Sequence, residues 1–161
     1  MERWHEFFGA EVGAAAALAG LLMVAASINI AKILEHPILP ARVAQTLAMA
    51  GGVLVVASLG LIPDQSSTAF GVESLIAGLV LAGVGIRQFV ITGRLAPAGT
   101  PLLWRISPLI SIELVAALFL VGGALLASSM GLGMFVASAG VIAGLVFTMT
   151  GGWVLLIEIL R

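Results

Sequence analysis

The chain has 161 residues, of which 61% are hydrophobic and 9% charged, against roughly one-half and one-quarter in an ordinary soluble domain. That composition excludes a water-solvated globule and leaves room for a handful of lipid-embedded spans of about 20 residues each. Seven Lys and Arg against eight Asp and Glu give a net charge of −1, too little for a bulk nucleic-acid surface. The absence of cysteine removes disulfides, thiolate nucleophiles and thiolate metal ligands.

In chain order, the first apolar segment covers residues 8–33. It follows a short, acidic N-terminus and is longer than the apolar core of a cleavable signal, so it reads as a retained span. Pro37 and Pro40 close the first loop, because proline removes a helix donor and disfavours helix at the preceding residue. A second span is expected over 43–62. The third, 70–92, carries Glu73 and Arg87 only about 21 Å apart along a helix, less than a ~30 Å hydrocarbon layer. Both side chains can still approach opposite interfaces by snorkelling. Leu114 to Ile157 is uncharged but broken by Ser128-Ser129-Met130-Gly131-Leu132-Gly133, a turn signal, which divides it into spans at 108–128 and 133–159.

The charges decide whether the third segment crosses. With five spans, Lys32, Arg42, Arg87, Arg94, Arg105 and Arg161 share one side and only Arg3 lies on the other. With four, the asymmetry vanishes. Positive residues favour the cytoplasmic side, so the expected fold is an all-α, polytopic bundle of five spans with its N-terminus outside and its C-terminus cytoplasmic. Six arginines against one lysine, with no Tyr and abundant Ala, Gly, Leu and Val, have the look of a GC-rich bacterial genome. The expected location is a bacterial cytoplasmic (inner) membrane.

Helices in lipid associate through close packing and hydrogen bonds, so small residues mark their contact faces. Gly140, Gly144, Thr148 and Gly152 recur every fourth residue and form one stripe on the last span. Gly9, Gly13 and Ala17 do so on the first, Ala44, Ala48 and Gly52 on the second, and Ser74, Gly78 and Ala82 on the third. Such stripes serve either internal packing or contact with another copy of the chain.

Ionisable groups inside hydrocarbon cost about 2.5 to 3.5 kcal/mol on insertion scales and are usually paired or functional. Glu113, in the fourth span, and Arg87 with Gln88, in the third, match in depth, so an Arg87–Glu113 ion pair is expected as a clamp between two helices or, alternatively, as a substrate or proton site. Asn29 is costly to bury unpaired and is expected to bond across to a neighbouring helix; Lys32, Glu35 and His36 continue that end of the span. Glu11 and Glu73 make the outer side acidic, either as a plain fringe or as an attraction for cations. Thr148 and Thr150 can bond back to their own helix.

Several chemistries lack their residues. His5 and His36 lie on opposite sides of the membrane, which argues against bis-histidine haem ligation. Glu2 and His5 have the Glu-x-x-His spacing of carboxylate-bridged metal bundles, but such a site needs the motif twice. No phosphate-binding loop, nucleophile elbow or zinc-protease helix motif occurs. No catalytic residue, metal or cofactor is therefore expected.

Ser27-Ile28-Asn29-Ile30, Ile33-Leu34-Glu35, Leu39-Pro40-Ala41-Arg42, Gln45-Thr46, Ile62-Pro63-Asp64-Gln65 and Trp153-Val154-Leu155-Leu156 before Glu158 resemble a family of small bacterial multi-pass membrane proteins. Some of its members are labelled as modulators of the membrane-bound AAA protease FtsH. The resemblance covers most of the chain and implies the membrane topology without adding a mechanism. The expected role is a non-enzymatic bundle acting through contacts with membrane lipids, another membrane protein or copies of itself. The alternative is a small oligomeric channel or transporter for ions or protons that uses Arg87, Glu113 and Asn29. A lipid- or quinone-modifying enzyme would have only the interfacial Trp4, Trp104 and Trp153 behind it, and such residues are ordinarily anchors.

Overall fold

The computed structural model describes residues 2–96 and 99–160. The side chains of Glu2 and Arg3, and Arg161, which the charge argument also used, lie outside what it describes. The described residues form helices α1 (Glu2–Ile28), α2 (Ile30–Glu35), α3 (Leu39–Leu59), α4 (Ser67–Leu95), α5 (Leu102–Ala127) and α6 (Leu132–Leu160), without a strand. All but α2 are long and apolar enough to cross a membrane.

The helix ends follow from local chemistry. Pro40 lies in the first turn of α3, where its missing N–H costs nothing. Ser66 caps α4 by accepting the Ala69 amide at 3.1 Å. The turn between α5 and α6 closes through Met130 N–H to Leu125 O at 2.8 Å and Ser129 N–H to Leu126 O at 2.9 Å. That pairing is a Schellman motif, which ordinarily places glycine in the left-handed region. Here Ser129 occupies it, at φ 62°. A Ser129→Gly chain should therefore unfold at a higher temperature, by up to about 1 kcal/mol of relieved strain offset by backbone entropy. An unchanged or lower midpoint in thermal unfolding would refute this.

Several helix boundaries differ from the sequence reading by a few residues, and two of the differences bear on the fold. The first span is not one helix over 8–33: the helix is interrupted at Asn29, whose backbone leaves helical geometry (φ −103°, ψ 14°). The fourth starts at Leu102 rather than at residue 108, and Pro108 lies inside α5. Proline is tolerated there because neighbours in a membrane bundle can re-engage the backbone groups it frees. The carbonyl it frees is that of Trp104, one turn back; the Pro108 carbonyl itself accepts from the Gln45 side chain on α3 at 2.6 Å.

The helices run alternately, which gathers opposite termini at each end of the bundle. At one end Phe8 of α1 lies against Gly60 after α3, and packs edge-on to Phe70 of α4 with ring centroids 5.5 Å apart. Trp4 meets Phe135 of α6 at 5.0 Å there. At the other end Leu22 of α1 covers Gly152 of α6, and α2 inserts Ile33 against Leu39 and Leu155. That second end carries Lys32, Arg42, Arg87, Arg94 and Arg105, every Lys and Arg whose side chain is described.

The most extensive interface joins α4 to α5, followed by α5 to α6, and glycine makes both. A Cβ on Gly123 would stand 2.6 Å from the Gly71 carbonyl oxygen and 2.8 Å from the Leu75 nitrogen; one on Gly133 would stand 2.5 Å from the Gly122 oxygen. Backbone meets backbone at these points, as expected where packing rather than water expulsion drives association. The buried Ser74 hydroxyl adds a bond to the Phe119 carbonyl at 3.2 Å across the α4–α5 interface. By contrast α1 is peripheral: only 6% of its most apolar stretch is buried, against 33% to 44% in the other four spans.

Candidate functional site

The densest polar arrangement lies at the arginine-rich end, where α3, α5 and α6 converge. Arg42 comes from the first turn of α3, Trp104 from the first turn of α5 and Glu158 from the last turns of α6. The Arg42 guanidinium donates through Nη1 to Glu158 Oε1 at 2.5 Å and lies 4.1 Å from the centroid of the Trp104 ring, within cation–π range. Trp104 Nε1–H donates to the same Glu158 oxygen at 3.0 Å. Three helices are thereby clasped by one carboxylate oxygen. The Arg42 and Glu158 side chains are only 10% and 20% exposed, so each charge depends on the other rather than on solvent. Glu158 Oε2 is buried and has no hydrogen-bond partner.

Two cavities flank this clasp. One, an open cleft of about 440 Å³ at the helix ends, is lined by His36, Pro37, Leu39, Pro101, Trp104 and Glu158 among others. The second, of about 350 Å³, runs deeper between α3, α5 and α6 and is lined by Arg42, Gln45, Ser107, Ser111 and Thr150 with apolar neighbours. Trp104 borders both. Several hydroxyls of the deeper cavity are spent on their own helices: Ser111 donates to the Ser107 carbonyl at 3.0 Å and Thr150 to the Val146 and Phe147 carbonyls at 3.1 Å.

Glu113 and Arg87 do not pair: the ion pair among the described residues is Arg42–Glu158. Glu113 does turn towards α4, and its Oε1 sits 2.5 Å from where a Cβ on Gly85 would be, buried and without a partner. Arg87, two residues further along α4, is exposed; the helix turns its side chain away from the face that Gly85 and the buried Gln88 present to α5. Asn29 does not reach another helix either. Its amide donates to the Ala25 carbonyl at 2.9 Å, the local bonding that makes Asn a poor residue for helix interiors. The four polar residues therefore do not meet in one site.

On α6, Gly140 lies against Phe119, Gly144 against Val53 and Gly152 against Leu22, so the stripe meets α5, α3 and α1 in turn. Thr148 is fully buried on the same stripe and its hydroxyl has no partner. Gly9 and Gly13 have nothing within 4 Å of a would-be Cβ; their side of α1 faces away from the bundle. Glu73 accepts a hydrogen bond from Gln65 at 2.5 Å, and Glu11 is half-buried. No cluster of three or more metal-ligating side chains occurs among the described residues.

Sequence reasoning missed the clasp. Arg42 entered as a topogenic charge and within a motif, Trp104 only as an interfacial anchor, and Glu158 only within a motif. Their shared depth at span ends was the available signal, but which spans adjoin is not written in any one of them. Comparison of the chain with protein-family models, curated protein sequences and solved structures gives no match in any of the three. The described residues form an all-helical bundle with five helices long and apolar enough to cross a membrane, compatible with a multi-pass membrane protein.

Proposed function

We propose that the chain is an integral protein of a bacterial cytoplasmic membrane, N-terminus outside, that works without catalysis through contacts between its first helix and a second copy of itself. The observation that carries this reading is the outward stripe of Gly9, Gly13 and Ala17 on α1, exposed with open space around its glycines. Small residues at four-residue spacing let membrane helices approach closely, and among the described residues nothing packs against Gly9 or Gly13 of α1. The barely covered apolar length of α1 supports the same reading. The resemblance noted above adds a membrane-anchored protease as a further candidate partner. The channel alternative finds less support, because Asn29 spends its amide on its own helix and Arg87 stands apart from Glu113.

The chain lacks cysteine, so a single introduced thiol reports without background. Oxidative crosslinking in native membranes should link Gly13→Cys chains into dimers and leave Leu79→Cys chains, altered at an exposed position on α4, monomeric. Monomer alone at Gly13→Cys would defeat self-association. Adducts of another mass would redirect the proposal to a different membrane protein.

A further inference from the structure

We propose that Glu113 is an intramembrane proton-binding site: its carboxyl group sits in a notch at Gly85 between α4 and α5 as the neutral acid, open to covalent modification by a hydrophobic carbodiimide. This inference does not depend on self-association through α1.

Along the depth of the bundle Glu113 has no charged company. On its own helix the preceding ionisable residue is Arg105, about 12 Å back along the axis, and none follows as far as Ala127. No ionisable residue occurs in α3 after Arg42, in α4 between Glu73 and Arg87, or in α6 before Glu158. Arg87 is exposed and turned out of the α4–α5 interface. Arg105 does enter that interface, but further along, against Gly93. Among the described residues Glu113 forms an ion pair with neither.

The notch is made by the glycine. Gly85 is buried on the face of α4 that meets α5, and a Cβ there would stand 2.5 Å from Glu113 Oε1 and 2.6 Å from Ile112 Cγ2. The absent side chain is thus the space that the carboxyl occupies. Oε1 is buried in it without a hydrogen-bond partner, and the next polar residue buried on that face, Gln88, is uncharged. In apolar surroundings an unpaired carboxylate costs far more than the neutral acid, so such a group takes up a proton instead. The acid also asks less of its neighbours. A carboxylate only accepts hydrogen bonds, whereas the O–H of the acid can donate to the second lone pair of a helix carbonyl.

The proton has a chemical signature. An apolar carbodiimide dissolves in lipid and reacts with a carboxylic acid: the acid's proton passes to one carbodiimide nitrogen while a carboxyl oxygen adds to the central carbon. Where water is scarce, the acyl group then migrates from that oxygen to nitrogen and leaves a stable N-acylurea. No atom is lost, and neither oxidant nor reductant is required. The Glu113 side chain is half-buried rather than sealed, which leaves the reagent an approach. Glu158 is committed to Arg42 and Trp104. The other acidic side chains lie towards the two ends of the bundle, where water hydrolyses the first adduct to the free acid and a urea.

The test treats the full chain in native membranes with dicyclohexylcarbodiimide at neutral pH and maps the adduct by tandem mass spectrometry. In parallel, the infrared spectrum of the reconstituted chain is recorded. The adduct should map to Glu113, and the C=O stretch of a carboxylic acid, a band that carboxylates lack, should be lost in the Glu113→Gln chain. An unmodified Glu113, or an acid band unchanged by Glu113→Gln, would overturn the proposal. Mapping the adduct on the parent chain requires no variant, so an unmodified Glu113 remains decisive even where Glu113→Gln fails to fold.

Discussion

Replacing Gly123 by valine is expected to abolish the stable bundle. The new Cβ would meet the Gly71 carbonyl oxygen at 2.6 Å and the Leu75 nitrogen at 2.8 Å, and neither obstacle is a side chain that can rotate away. The helices must separate instead, at the interface where α4 and α5 make the most extensive contact in the protein. Overpacking of this kind costs about 1 to 3 kcal/mol where side chains can adapt, so a backbone obstruction belongs at or above the upper limit. The Gly123→Val chain should be recovered from detergent largely as aggregate, or melt well below the parent in fluorescence-detected thermal unfolding. Gly83→Val on α4 is the matched control: nothing lies within 4 Å of a Cβ there, and a surface exchange should change stability by no more than about 0.5 kcal/mol. Equal stability of the two variants would refute the packing described for α4 and α5.

The second large effect concerns the clasp. Arg42→Ala leaves Glu158 largely shielded from water with Trp104 as its one remaining donor, and Glu158→Ala leaves the Arg42 cation shielded and unpaired. Breaking one partner of a buried pair costs about 3 to 5 kcal/mol; with the carboxylate 20% exposed, the lower limit is the appropriate one. The double variant should be more stable than the sum of the single losses predicts, because the second change removes an uncompensated charge rather than a further bond. A double-mutant cycle on the thermal midpoints should return a coupling of at least about 1 kcal/mol. Since both groups are mostly shielded, that coupling should persist at high salt, where an exposed pair would be screened. Additive losses would mean that Arg42 and Glu158 do not depend on each other.

How much of this was legible beforehand differs between levels. Four of the five long apolar helices follow from extended uncharged runs, because in lipid the backbone has few alternatives to helix, whereas the third, with Glu73 and Arg87, was read from the asymmetry of the positive charges. The α5–α6 turn was visible in its Ser-Ser-Met-Gly-Leu-Gly signal. The depths of Glu113 and Arg87 were also readable, and Glu113 does lie against α4 at Gly85. Their azimuth was not readable: two residues separate Gly85 from Arg87, and that rotation turns the guanidinium out of the interface. Asn29 was expected to seek a partner helix, but a short amide finds its own carbonyl four residues back more readily than it spans a gap. The glycine pairs that make the α4–α5 and α5–α6 interfaces escaped notice because Gly71, Gly122, Gly123 and Gly133 pair across helices, whereas stripes along one helix are all that a single sequence displays. The clasp was hidden for the same reason.

Everything rests on α4 passing fully through the bilayer, which places Arg42, Trp104 and Glu158 at one end together with the other arginines. Since the chain has no cysteine, Ser67→Cys, Thr100→Cys and Ser128→Cys chains can be treated in intact cells with a membrane-impermeant maleimide. Labelling at Ser67→Cys and Ser128→Cys, with Thr100→Cys protected until the membrane is permeabilised, is the predicted result. Labelling of Thr100→Cys in intact cells alongside Ser67→Cys would contradict the account.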